Sequence, residues 1–346
     1  MNLDRISFTT FNLYNLNEPG APMYRDGTGW TAAQYTKKIE WTGRMLNIMG
    51  SDVYGFQELW HGQSLANAFQ QAGLATDYAM LVPDGHAGGR IVCAAAVRAD
   101  ILAGDPEWIT SFPDQFRLQS QGDDPQTSEI AVNIDSFSRP VLHFVIRPRD
   151  DTPDIHVYVC HLKSKLPTRI DDEPWFEAAP DIFGKHRDAI GGAISTIRRT
   201  AEAAALRFIL TERMKGTDTP VILLGDVNDG QCSNTVAILS SQPNYLIGLS
   251  KGGGDNDLYT AQTLQQYRST RDVYYTHIFQ NERESLDQIM LSQEFYDNSR
   301  KRIWAFDGME VNNDHLNYDD HELSGTNDHG IIRAAFRYRP VAGGGD

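Results

Sequence analysis

Cysteine is scarce in this chain: Cys93, Cys160 and Cys232 are the only three in 346 residues. An odd trio without Cys/His metal spacing supports neither a disulfide framework nor a structural zinc site. Long apolar runs are missing too, so no segment reads as a membrane-spanning helix and no stable membrane association is expected. Met1 is followed within a few residues by a strand-like segment, without the cationic and apolar pattern of a signal peptide. These absences read as a soluble, cytoplasmic chain unless a leader has been removed. No Pro/Gly/Ser-rich stretch divides the sequence, no fixed-period repeat occurs, and low complexity is confined to the short glycine runs at 252–254 and 343–345. One domain over residues 1–340 with a flexible tail, 341–346, is the expected organisation.

Positive charge is in deficit as well. Lys and Arg total 31 against 46 Asp and Glu, a formal charge of −15, which excludes a protein that coats nucleic acid through a general basic surface. It does not exclude an enzyme acting on phosphodiesters. A carboxylate-rich pocket repels phosphate until a divalent cation reverses the local sign, so an acidic chain acting on an anionic substrate points towards a bound metal. Most of the acidic excess reads simply as solvated surface.

What is present is a large set of strands. Segments rich in β-branched and aromatic residues lie near 6–11, 52–57, 77–82, 90–98, 129–135, 141–147, 154–161, 220–225, 272–278, 285–291, 301–306 and 330–338. Helical periodicity is clearest in 32–49, 63–72 and 189–215. In the last, Ile194, Ile197, Ala201, Ala204, Ala205, Phe208 and Ile209 recur at helical spacing. That register leaves Arg198, Arg199, Glu202 and Arg213 largely on the wetter face. Runs of strands with few long helices between them predict an α+β fold, sheet packed on sheet with helices outside. Three loops, 14–30, 109–128 and 164–184, are unusually long, and the last carries Trp175 and Phe176.

Several strands end abruptly in small oxygen-bearing side chains. The run from Val221 ends in Gly225, Asp226, Val227 and Asn228, a design for holding a reacting water. The run from Ile6 reaches Asn12, that from Val53 reaches Gln57 and Glu58, and that from Ile155 reaches His161. Several strand ends feeding one mouth make a plausible site. Magnesium needs only one or two carboxylates and a few further oxygens, and Glu58, Asn12 and Asp328 are available. Asp328 and His329 join a potential ligand and a potential base in adjacent positions. Asp287 sits inside an apolar strand, where an unpaired carboxylate is costly, so a partner such as His329 is expected.

Together these segments resemble the DNase I-like endonuclease/exonuclease/phosphatase superfamily of metal-dependent phosphoesterases. The resemblance rests on six short motifs in the superfamily's order, namely Thr10 to Leu13, Gln57-Glu58, His161-Leu162, Gly225 to Asn228, Leu286 to Ile289, and Asn327 to His329. It implies two packed mixed β-sheets flanked by helices, a four-layer α/β/β/α sandwich. It also implies Mg²⁺ or Mn²⁺ at Asn12, Glu58 and Asp328, with Asp226 and Asn228 positioning the attacking water and binding a phosphate oxygen. His329, held by Asp287, would be general base or electrostatic partner. His161 would stabilise charge on the phosphate, helped by Arg139, whose Ser138-Arg139-Pro140 segment resembles the arginine segment of the DNase branch. The implied activity is a phosphodiesterase, foremost a nuclease with DNA or RNA as substrate, hydrolysing P–O bonds by direct water attack.

The departures bear on substrate. Tyr14 stands where the abasic-site branch carries an acid, and Leu59-Trp60 follow Glu58 where many nucleases place a basic residue. A phosphatase or sphingomyelinase-like hydrolase of a small or lipid phosphoester is the enzymatic alternative, and a degenerate binding module the non-enzymatic one. Cys160 reads as core packing, and His315 and His321 as surface loop histidines with no zinc spacing. Arg198, Arg199, Lys163, Lys165 and Arg169 read either as a phosphate path or as solvated surface. Trp175 and Phe176 either stack on bases or anchor their loop.

Overall fold

The computed structural model describes residues 2–24, 27–122, 126–245, 252–269 and 274–341. Within them, two six-stranded sheets lie face to face. The first runs in the order Trp304–Asn312, Ile331–Tyr338, Arg5–Leu16, Val53–His61, Ala87–Arg98, Tyr78–Leu81. The second runs Tyr259–Thr260, Asp287–Leu291, Val221–Asp226, Ile155–His161, Ser136–Ile146, Glu107–Ser111. Each sheet is mixed. The one parallel pair in the first is Arg5–Leu16 with Val53–His61, and in the second Val221–Asp226 with Ile155–His161.

Period-two alternation sorts the strand residues into layers. Ile6 and Phe8, Val157 and Val159, and Ile222 and Leu224 meet in the core between the sheets. The opposite faces carry Phe11, Tyr54 and Phe56 towards helices Ala32–Met49 and Gly62–Ala72, and Tyr158, Val221 and Leu223 towards helix Arg187–Met214. The result is the α/β/β/α sandwich expected. Helix Ala32–Met49 begins at Thr31, whose side chain and that of Gln34 form a reciprocal capping box, and ends at Gly50 in the left-handed region.

The departures from expectation have local causes. Strand 129–135 shrinks to Ile130–Ala131, paired among the described residues only with Gln119–Ser120, and Ile130 is 61% exposed. An edge strand, Glu107–Ser111, forms inside what reads as the start of a loop. The segment expected at 272–278 is a short strand, His277–Phe279, in a hairpin with Glu282–Glu284, and 270–273 lie outside the described residues, as do 342–346 of the tail. The long helix is rotated from its predicted register: Arg199 and Glu202 are buried, while Ile197 is exposed. No helix among the described residues is long and apolar enough to cross a membrane.

Candidate active site

Alternation alone carries four of the predicted residues to one place. Asn12 shares parity with Ile6 and Phe8, His161 with Val157 and Val159, Asp226 with Ile222 and Leu224, and Asp287 with Ile289 and Leu291. All four therefore face between the sheets at one end of the sandwich. Asn12 Nδ2 donates to Asp226 Oδ2 at 3.3 Å, a hydrogen bond that joins the two sheets at the mouth. Close approach there depends on Gly55, since a Cβ at that position would lie 3.0 Å from Val159 and 3.1 Å from Leu224 of the other sheet.

Glu58 breaks the alternation. By parity it belongs with Tyr54 and Phe56 on the helix side. Between Phe56, paired with Ala94, and Leu59, paired with Val92, one extra residue is inserted, and Glu58 takes a left-handed backbone with φ of 61°. Such a bulge re-aims a side chain, at a cost of about 1–3 kcal/mol for the strained residue. Glu58 Oε2 accepts the Asn15 N–H at 3.1 Å, and Oε1 lies 3.9 Å from His161 Nε2. Asn228 is likewise left-handed, with φ of 53°.

Asp226 is the hub. Oδ1 accepts the Asn228 N–H at 2.8 Å, while Oδ2 lies 3.6 Å from His161 Nε2 and 3.9 Å from His329 Nε2. Burial raises its pKa to about 7; the Asp287 charge adds to this, and His329 opposes it. Asp287 and His329 form the pair expected, with His329 Nδ1 2.8 Å from Asp287 Oδ2. Burial disfavours the His329 cation, but Asp287 and Asp226 more than offset it and hold its pKa well above the usual range. His161 is the opposite case. Burial, then Arg139, His329 and Lys163, push its pKa well below the ordinary value, so its contacts with carboxylates are those of a neutral ring. Arg139 donates to the Leu162 carbonyl at 3.2 Å, and Asn228 Nδ2 donates to the same oxygen at 3.0 Å.

Two features test whether a hard cation suits this mouth. Asp328 Oδ1 is buried with no hydrogen-bond partner among the described residues. Glu58 has its pKa raised by burial and then by Asp328. An unpartnered carboxylate oxygen crowded by a second carboxylate is what a divalent cation with oxygen preference relieves. Two further sets of ligand atoms converge within 4.8 Å: His277, Asp328 and His329, and Asp226, Asp287 and His329.

Some participants have no motif in the sequence. His277, from the small hairpin, sets its ring 4.9 Å from that of His329. Lys38 is fully buried, with Nζ 5.0 Å from the Tyr14 ring centre; it donates to the Thr326 carbonyl and to Asn327 Oδ1, and Asn327 in turn donates to the Asn12 carbonyl. A signal for Lys38 exists, since it falls on the buried helical stripe with Trp41, Met45 and Met49. Glu202 accepts backbone N–H groups from both Ser138 and Lys163. The reading of His315 and His321 as surface histidines is corrected. His315 Nε2 lies 2.8 Å from the His329 carbonyl, and His321 Nδ1 2.9 Å from Thr326 Oγ1, so both brace the Asn327–His329 segment. Cys160 is fully buried with its thiol pKa pushed well up, consistent with packing.

A family model described as "Endonuclease/Exonuclease/phosphatase family" matches residues 9–324. Among solved structures, humanized D. rerio TDP2 is similar at 15% identity, covering 97% of this chain and 100% of that chain, with a TM-score of 0.55. The human Nocturnin catalytic domain with bound sulfate anion is similar at 14% identity, covering 98% and 97%, with a TM-score of 0.55. The Bacteroides thetaiotaomicron mannosyl-6-phosphatase is similar at 14% identity, covering 96% and 100%, with a TM-score of 0.50. At these identities the likeness is one of fold. No curated protein sequence matches significantly.

Proposed function

The chain belongs to the endonuclease/exonuclease/phosphatase family, and from that premise we propose that it is a divalent-metal-dependent phosphodiesterase, a nuclease hydrolysing DNA or RNA by direct water attack. The observation that carries this reading is the hub at Asp226. One buried carboxyl, poised near neutral pH, sits beside Asn12, the Asn228 N–H and both histidines.

Asn12, Glu58 and Asp328 are the oxygen donors that would hold Mg²⁺ or Mn²⁺, a Lewis acid that stabilises developing charge on a phosphate oxygen. Asp226 takes the proton from the attacking water, a task suited to a group whose pKa lies near the working pH. Asn228 fixes the Asp226 carboxylate through its N–H and leaves its own side-chain oxygen to orient that water. His329, kept cationic by Asp287, places positive charge beside the phosphate. His161, neutral and held by its burial, donates to a phosphate oxygen, and Arg139 adds a fixed charge at the rim.

The test is cleavage of supercoiled plasmid and of labelled single-stranded DNA and RNA, with Mg²⁺ or Mn²⁺ against EDTA, and with Asp226→Ala as control. Metal-dependent cleavage absent from the variant supports the reading. Full metal-dependent activity in Asp226→Ala sinks the assignment of the water-activating residue. Inactivity on all nucleic acids alongside hydrolysis of p-nitrophenyl phosphate moves the substrate to small phosphoesters.

A further inference from the structure

Beside the mouth lies a recess of about 1100 Å³. Its charge is the reverse of the chain's. Among the described residues Arg90, Arg139, Lys163, Arg169 and Arg198 line it, against the single acid Glu173, in a protein with a net charge of −15. They come from four separate segments: strand Ala87–Arg98, strand Ser136–Ile146, the loop after His161 and helix Arg187–Met214. No ion pair links Arg90, Arg139, Lys163 or Arg198 to a carboxylate among the described residues. The crowding is felt by Lys163, whose pKa is pushed down by burial and then by Arg139, with Arg198 and Arg199 adding to this and Glu202 opposing it.

One scissile phosphate, met by His161 and Arg139, does not account for so many cations. The recess is also aromatic. Trp60 forms part of the wall, with Tyr24 edge-on to it at 5.1 Å. Trp175 lies on the rim, 41% exposed, its ring anchored edge-on against Phe183 at 4.9 Å. A cationic groove with exposed rings is the arrangement that tracks a sugar-phosphate backbone while stacking unpaired bases.

We propose that this recess binds the nucleotides flanking the scissile phosphate and that the substrate it selects is a single strand. This rests on the phosphodiesterase reading above and deepens it. An exposed ring such as Trp175 stacks on an unpaired base, which a single strand offers along its length and an intact duplex keeps within its own stack. Arg90 and Arg198 hold flanking phosphates, and Trp175 supplies a stacking face.

Steady-state cleavage of a labelled twelve-nucleotide thymidine strand, alone and annealed to its complement, tests this with bis(p-nitrophenyl) phosphate as a diester lacking flanking phosphates. Arg90→Glu and Arg198→Glu, made singly, are expected to raise KM for the strand about tenfold or more and leave bis(p-nitrophenyl) phosphate hydrolysis within about twofold. Trp175→Ala is expected to raise KM for the strand alone, since stacking on an aromatic is worth on the order of tenfold per base. Each arginine removed should lower the salt dependence of strand binding, read by fluorescence anisotropy, by about 0.7 in log–log slope. Equal cleavage of strand and duplex, or charge reversals without effect on the strand, overturns the proposal. Capture of the protein by phosphatidylserine vesicles without binding of the strand overturns it in favour of a membrane surface. Loss of bis(p-nitrophenyl) phosphate hydrolysis in metal-loaded wild type marks failure of the phosphodiesterase reading itself, while anisotropy still reports strand binding.

Discussion

Glu202 Oε2 accepts the backbone N–H of Lys163 at 2.7 Å, reaching from the middle of the long helix to the loop just past His161. Its other oxygen takes the Ser138 N–H at 2.8 Å, so one buried carboxylate clamps the segments that carry both His161 and Arg139. Arg199, one helical turn earlier, donates to the carbonyls of Lys163 and Ser164 and completes the clamp.

Glu202→Ala is therefore expected to strand two backbone donors and destabilise the fold by about 2–4 kcal/mol, measured by urea unfolding. Glu202→Gln keeps an acceptor for one of them and is expected to lie between. Wild-type stability in Glu202→Ala, with unchanged activity, would show that the clamp has no energetic role.

Asp287 sets the charge of His329. Asp287→Asn removes the partner at 2.8 Å and with it the main force that keeps the ring cationic. The expected outcome is a fall in kcat/KM of about 10²–10⁴, with the thermal transition shifted far less than the loss of activity implies. A fall below about threefold would remove His329 from the proton and charge work.

Glycine at 225 is a steric requirement. A Cβ there would lie 2.1 Å from the Cys160 carbonyl oxygen on the neighbouring parallel strand, and φ is 154°. Gly225→Ala is expected to cost more than about 3 kcal/mol and to reduce soluble yield. Gly192→Ala, inside the long helix with open space around it, is expected to gain about 1 kcal/mol. Chemical denaturation of the two variants side by side checks both.

His143 and His156 form a half-buried neutral pair, Nε2 to Nδ1 at 2.9 Å with stacked rings. Burial, with Arg213 adding to it, pushes each pKa down to about 4. A histidine pKa lower in the folded than in the unfolded chain means that the unfolded state takes up protons first. The stability this pair contributes is thus complete above about pH 6.5 and lost as pH falls towards 4. Protonation of one ring of the pair makes about 2 kcal/mol disappear between pH 7 and 5. His143→Gln should flatten that slope, and identical pH profiles for variant and wild type would refute the link.

The placement of the candidate site was largely legible in the chain. Asn12, His161, Asp226 and Asp287 share parity with apolar neighbours in their own strands, and strand alternation is a local rule that needs no knowledge of the partner sheet. The buried carboxylate at 287 demanded a partner for the same local reason. Glu58 ran against the pattern, because its direction comes from a bulge that exists only relative to the strand beside it.

Periodicity identified the long helix but misjudged its wet face. Arg199 and Glu202 look solvent-bound in sequence, and they are buried because Ser138, Lys163 and Ser164 present backbone groups that need partners. Sequence also left open whether the basic residues after His161 form a path or a solvated surface. The structure gathers Lys163 and Arg169 with Arg90 and Arg198 around one recess, while Lys165 turns away to pair with Glu284.

By itself the sequence determined most of the strands, the layered architecture and the residues at the strand ends, because these follow from interactions among near neighbours along the chain. Tertiary structure decided the aim of Glu58, the burial of Lys38 and Glu202, and the basic recess, because each is set by backbone groups and charges distant in sequence that meet only when the two sheets close.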